Sequence, residues 1–136
     1  MSDSLQLRIV TPSRLLLDDR VREVTAPGTV GQFGVLPDHV TFLTSLDIGT
    51  LSYRTDSGVR YVAVRGGFAE VLDNVMTVLA DDAAFPEDID APAARIEAQS
   101  AEAELRQLSP LDDGYSATEA TRRWAVARVE TVQAAA

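Results

Sequence analysis

The chain has 136 residues, a formal net charge of −9 and no cysteine. That length suits one ordinary domain or a small domain with an appendage, the acidity argues against nucleic acid or anionic lipid as a partner, and neither a disulfide framework nor a thiolate metal site can form. All twelve basic residues are arginine, which excludes Schiff-base and phosphate-loop lysine chemistry. No run approaches the roughly eighteen apolar residues of a membrane span, and the N-terminus lacks the basic start and apolar core of a signal peptide. The expectation is a cytosolic or peripheral protein without direct membrane insertion.

Residues 5 to about 80 read as β throughout. Leu5, Leu7 and Ile9 alternate with Gln6 and Arg8, the period-two pattern of a half-buried strand. Thr11-Pro12-Ser13 breaks it, Leu15 to Leu17 resumes it, and Asp18-Asp19 reads as a solvated turn. Val21 to Ala26 forms a further strand ended by Pro27-Gly28. The next stretch, from Gly28 to His39, packs three glycines, one proline and the single histidine into a shaped connection between strands. Such loops often carry function. Its Gly-x-x-Gly-x-x-Gly spacing lacks the Lys-Ser/Thr of a phosphate loop and does not open a helix. Short runs follow near 40 to 45 and 49 to 55, and Asp56-Ser57-Gly58 turns the chain into Val59 to Val64. Gly66-Gly67 punctuates, Phe68 to Leu72 continues, and Asp73-Asn74 reads as a tight hairpin turn into Val75 to Leu79. Many short strands between turn signals predict an antiparallel sandwich.

At Asp81 the period changes. Ala91 to Leu108 is alanine-rich, glycine-free and has Ile96 as its one β-branched residue, a strong helix composition. Asp90 is the expected N-cap, with Pro92 in the first turn. Ala94, Ala98, Ala101, Leu105 and Leu108 define one face. Ser109-Pro110 stops this helix, Asp113-Gly114 turns the chain, and Ser116-x-x-Glu119 has the form of a capping box for a second helix running to the early 130s. The predicted fold is therefore an N-terminal antiparallel β-sandwich, residues 1–84, followed by a C-terminal two-helix antiparallel hairpin, residues 85–136. Residues 86 to 114 carry a net charge of −6 and residues 115 to 136 a net of +1, so the two arms can pair with each other or simply present solvated faces. An alanine-lined seam allows close helix approach but stabilises a docked hairpin only modestly, since each buried methylene contributes roughly 0.8 kcal/mol.

Classical catalytic constellations are missing. His39 has no orienting partner and nucleophile in the sequence pattern, and as a metal ligand it has only carboxylates for company. No catalytic, metal or cofactor site is expected. Glu70, inside an apolar run, is either buried and paired or turned outward.

Two blocks carry a family resemblance. Ala26-Pro27-Gly28-x-x-Gly31-x-Phe33-Gly34-Val35-Leu36-Pro37-x-His39, with Leu43-Thr44 and Ile48-Gly49 after it, resembles the signature of the epsilon subunit of F-type ATP synthases. Val64-x-Gly66-Gly67-Phe68-Ala69-Glu70-Val71 followed by Val75-x-Thr77-Val78-Leu79-Ala80-Asp81 is similar to a second block of that family, in order and at the expected distance. The resemblance implies a non-catalytic subunit of the central stalk, peripheral on the cytoplasmic side of a bacterial inner membrane. It implies that Thr11, His39 and Thr44 face the gamma subunit and that Gly31 and Gln32 face the membrane rotor ring of c subunits. It implies also that the helical hairpin can extend into the alpha/beta catalytic head and block ATP hydrolysis, with Arg122, Arg123 and Arg128 available for an acidic catalytic surface. The family's Pro-Gly-His-Ala-Pro is here Pro37-Asp38-His39-Val40-Thr41. Some members bind ATP through Ile/Leu-Asp-x-x-Arg-Ala at the start of the first helix; here Ile89 and Asp90 are present but Ala93 stands in place of the arginine. Arg95, two residues on, is rotated by about 200°, so weak or absent ATP binding is expected. The competing reading is a free-standing β-sandwich that binds a small ligand or peptide, with the hairpin as a dimerisation element.

Overall fold

The computed structural model describes residues 2–136. Eight strands precede two helices: β1 (Leu5–Val10), β2 (Leu15–Val21), β3 (Glu23–Gly28), β4 (Gly31–Val35), β5 (Phe42–Thr55), β6 (Gly58–Leu72), β7 (Val75–Ala80), β8 (Ala83–Ala84), α1 (Ala91–Leu105) and α2 (Tyr115–Ala135), with a 3-10 turn at Pro86–Asp88. The strand order is β2-β1-β7-β6-β5-β3-β4, with β8 added beside β6.

The two long strands explain how one continuous sheet makes two layers. The first part of β5, Phe42 to Leu46, pairs with Gly67 to Val71 of β6, which in turn pairs with β7. The rest of β5, Ile48 to Thr55, pairs with Gly58 to Arg65 of β6 and carries β3 on its other side. The fold-over falls at Gly66-Gly67, both at positive φ (65° and 113°). A Cβ on Gly67 would lie 1.9 Å from the carbonyl oxygen of Leu79, so only glycine lets β6 pass β7 here. The runs near 40 to 45 and 49 to 55, separate in the sequence reading, are thus one bent strand, and so are Val59 to Val64 and Phe68 to Leu72. Asp73 and Asn74 both take positive φ, as the tight turn between β6 and β7 requires.

Between the layers lies the core. Leu5, Leu7 and Ile9 of β1, Val24 and Ala26 of β3, Leu51 of β5, Val62, Val64, Ala69 and Val71 of β6, and Met76 and Val78 of β7 have no exposed surface. The alternation predicted for β1 is what places its leucines inward. Glu70 turns outward and is exposed. The sandwich stands as expected, with one pair that differs: β1 runs parallel to β7, because the chain crosses the whole domain between them. Asp18 and Asp19 are not in a turn but inside β2, where Asp18 accepts from Gln6 and lies 3.6 Å from Arg8 of the neighbouring strand.

The helical hairpin differs from its sequence reading at both ends of its connection. The first helix stops at Leu105, one turn before Leu108, and Arg106 to Leu108 tighten into turns bonded to residues three or four back. Asp90 caps it as expected, its Oδ1 accepting from the Ala93 amide at 3.1 Å. The second helix does not use the capping box. Gly114 occupies the N-cap position at φ 87°, no side chain caps it, and Glu119 instead takes two hydrogen bonds from Arg122. The glycine sets the chain direction before Ser116 arrives, so the serine falls inside the helix.

Candidate functional site

Three surfaces bear on function. The first is the tip around the glycine-rich stretch. Gly28 pairs with Gly31 at the end of the β3–β4 hairpin, leaving Thr29-Val30 as its turn. Val30 is 98% exposed, and Gly31 and Gln32 beside it are exposed as well. Behind the tip, the Phe33 ring meets Phe42 edge-on with centroids 5.5 Å apart, and Phe42 meets His39 in the same manner at 5.8 Å. This row links the tip to the His39 loop. The His39 Nδ1 donates to the Val40 carbonyl at 2.8 Å, which fixes the ring beside Phe42.

The second surface is the outer face of the layer holding β1, β2 and β7. Phe68 of β6 stands opposite Leu79 of β7, Leu79 opposite Val10 of β1, and Val10 opposite Leu15 of β2. Phe68, Leu79 and Leu15 are each half exposed or more, and Leu43, in the adjacent row on β5, is 72% exposed. The result is a bare apolar stripe across several strands, larger than single scattered apolar residues would explain. Thr11 sits at its end, buried, with its hydroxyl turned to Ser13 and the Arg14 carbonyl, so it shapes the β1–β2 turn rather than projecting from it. Thr44 is half-buried and shares the inward parity of Phe42, while Leu43 points out. The structure therefore sets His39 against the aromatic row, Gln32 at the exposed tip next to Phe33 in the chain, and Thr11 in the β1–β2 turn. Sequence reasoning missed the stripe and Val30. Its signal was there: Val10, Phe68 and Leu79 are apolar at the outward positions of strands whose inward positions are already apolar.

The third surface is the seat of the hairpin, on the outer face of the other layer. Trp124 and Ala127 of α2 pack on Ala63 of β6, with Ile48 of β5 and Ile89 beside them. Ala94, Ala98 and Ala101 bury the matching face of α1. Polar contacts fix the register. The Thr131 hydroxyl donates to the Ala127 carbonyl at 2.7 Å and, its proton used, accepts from Thr50 of β5 at 2.7 Å. All three arginines of α2 are engaged: Arg122 with Glu119 at 2.8 Å, Arg123 with Asp47 of β5 at 2.7 Å, and Arg128 with Glu97 of α1 at 2.8 Å while lying over the Trp124 ring. The hydrogen bond from Arg122 holds the Glu119 carboxyl below its usual range. At the start of α1, Ile89 belongs to the apolar seat and the Asp90 carboxylate is taken by the helix cap. Ala93 offers no cation there, and Arg95 is exposed.

A β-sandwich carrying a docked α-helical hairpin, with one bare apolar face, defines the class. The pattern of the "ATP synthase, Delta/Epsilon chain, beta-sandwich domain" matches residues 4–86. Curated relatives extend the match through the helices. The ATP synthase epsilon chain of Nitratidesulfovibrio vulgaris strain DP4 is 47% identical over 129 residues, covering 95% of this chain and 96% of its own length. That of Citrifermentans bemidjiense is 40% identical over 136 residues, covering 100% of this chain and 99% of its own. Among solved structures, a chain of the Euglena gracilis mitochondrial ATP synthase, from a structure of its OSCP/F1/c-ring, superposes with a TM-score of 0.81 at 23% identity, over 99% of this chain and 82% of that one. A chain from the central stalk/c-ring structure of the Tetrahymena thermophila mitochondrial ATP synthase gives 0.66 at 18% identity, over 93% and 95%. The chain belongs to the ATP synthase epsilon chain family.

Proposed function

We propose that this chain is a non-catalytic rotor subunit of a proton-translocating F-type ATP synthase, attached peripherally on the cytoplasmic side of a bacterial inner membrane. In this reading the apolar stripe of Val10, Leu15, Leu43, Phe68 and Leu79 lies against the gamma subunit. His39, Thr44 and the turn at Thr11 flank that interface. The tip formed by Val30, Gly31 and Gln32 meets the polar loops of the c-subunit ring. The observation that carries the reading is the stripe, in a chain whose relatives match it from end to end. One sandwich face is closed by the chain's own hairpin and the other is left apolar, which is what a subunit needs if a second protein is to cover it.

The hairpin is the regulatory element in the same reading. Its arginines are paired within the chain when it is seated, so engagement of Arg122, Arg123 and Arg128 with the alpha/beta head requires Arg123 to leave Asp47 and Arg128 to leave Glu97. Seated and extended forms therefore compete for the same charges, and the extended one blocks ATP hydrolysis. Membranes carrying the enzyme with residues 86–136 deleted test this directly. The expected result is faster ATP hydrolysis with ATP-driven proton pumping retained. Unchanged hydrolysis would remove the inhibitory role, and loss of proton pumping with hydrolysis intact would mean that the hairpin itself couples.

A further inference from the structure

The open end of the sandwich holds a cleft of about 470 Å³ whose walls include Asp19, Tyr53, Arg60, Phe85, Glu87 and, from the end of α2, Ala135. It lies where β6 runs past the short β8 and loses its neighbour on that side, since β8 pairs only with Ala63 and Val64. Asp19 stands opposite the inward-facing Leu7, and Arg60 opposite the inward-facing Tyr53, so both charges sit at the mouth of the core.

Tyr53 makes this more than a surface dent. The residue is only 4% exposed, yet among the described residues no protein group hydrogen-bonds its hydroxyl. No polar side-chain atom in the described residues is both sealed from solvent and unpartnered, so the hydroxyl opens onto the cleft. With no protein partner among the described residues, the hydroxyl is available to a molecule in the cleft. Burial pushes the Tyr53 phenol above its ordinary range; Arg60 pulls the other way, and Asp19 and Glu87 add to the rise. Asp19, Arg60 and Glu87 line the same cleft as Tyr53.

We propose that the cleft binds a small zwitterion of the apolar amino-acid class, its carboxylate on Arg60 and the Tyr53 hydroxyl, its ammonium between Asp19 and Glu87, and its apolar part against Phe85. The mixture of signs selects the ligand. A simple anion meets two carboxylates, and a simple cation meets Arg60, whereas a zwitterion offers an opposite charge to both signs in the cleft. The volume is in the range of small-molecule sites. Since Ala135 forms one wall, the cleft is complete only with the hairpin seated, and the inference is independent of the rotor assignment.

Isothermal titration of the full chain with L-leucine, against sodium acetate and n-butylamine as single-sign controls, tests it. Saturable binding of leucine in the millimolar range or tighter is expected, with neither control competing. Tyr53→Phe keeps the ring and removes one hydrogen bond, and is expected to weaken binding about three- to tenfold. Arg60→Gln, on an exposed side chain that leaves the core untouched, is expected to weaken it about tenfold or more. Absence of saturable leucine binding overturns the proposal. So does binding that Arg60→Gln leaves unchanged while its circular dichroism matches the native chain, or competition by acetate or butylamine at equal strength.

Discussion

Single residues decide how this sheet can fold over itself. At Gly67 the missing Cβ gives the carbonyl of Leu79 room to pass, and the positive φ adds a second reason for glycine. Gly67→Ala is expected to destabilise the sandwich by about 2 to 4 kcal/mol, through strain and displacement of β7. Urea unfolding measures this, and a native midpoint in the variant would contradict the close approach. A different residue pair governs the hairpin. Arg123 and Asp47 are both about one-third exposed, so their 2.7 Å contact is screened and worth at most about 1 kcal/mol. That suits the release of the hairpin proposed above. A double-mutant cycle with Arg123→Gln and Asp47→Asn, read by the rate of chymotrypsin cleavage within the hairpin, is expected to show positive coupling that fades as salt rises. Independent effects of the two substitutions would show that the pair does not hold the hairpin.

Elements show where the hairpin's docking energy resides. The alanine positions of α1 bury little area each, whereas Trp124 alone carries an indole into the seat on Ala63, Ile48 and Ile89. Trp124→Ala is expected to cost about 3 to 5 kcal/mol of docking free energy. Because the sandwich core does not include Trp124, the loss appears as a freed hairpin, cut rapidly by protease, above a sandwich whose own unfolding is little changed. Loss of the sandwich transition in this variant would show instead that both parts unfold as one. Elements also mark how far the sequence could be read. The strands of the core were legible because Leu5, Leu7 and Ile9 alternate with Gln6 and Arg8, and Val62 and Val64 with polar or small neighbours. The continuity of β5 and β6 was not, since a bend at glycine looks the same in sequence as a chain break. The capping box at Ser116 misled because a glycine in the left-handed conformation two residues earlier had already set the helix start. The parallel β1–β7 pairing is a tertiary choice with no local signature. At the candidate sites, the glycine-rich tip and the Asp90 cap were visible as residue types at fixed spacing. The apolar stripe was hidden because it is built from one residue per strand, joined only by register.

Across the whole molecule the two sandwich faces have opposite fates. One is covered by Trp124, Ala127 and Thr131, and the other presents Phe68, Leu79, Leu15 and Leu43 to its surroundings. The charges follow the same division: the arginines of α2 are paired inside the seated chain, and the row of Leu15, Val10, Leu79 and Phe68 carries no charge, whereas Leu43 lies in the next row with Glu70, Arg8 and Asp18. The proposed rotor role calls for this asymmetry, one face to hold a partner continuously and one whose cover can leave. Because the chain has no cysteine, single introduced cysteines report contacts without background. The most direct measurement is therefore photo-crosslinking within the assembled ATP synthase, with benzophenone maleimide attached to Leu79→Cys, Val30→Cys or, as a control outside both surfaces, Asp56→Cys. The account predicts a product with gamma from position 79, a product with the c subunit from position 30, and neither from position 56. Exchange of those partners, or crosslinks at positions 79 and 30 no stronger than at position 56, would contradict it.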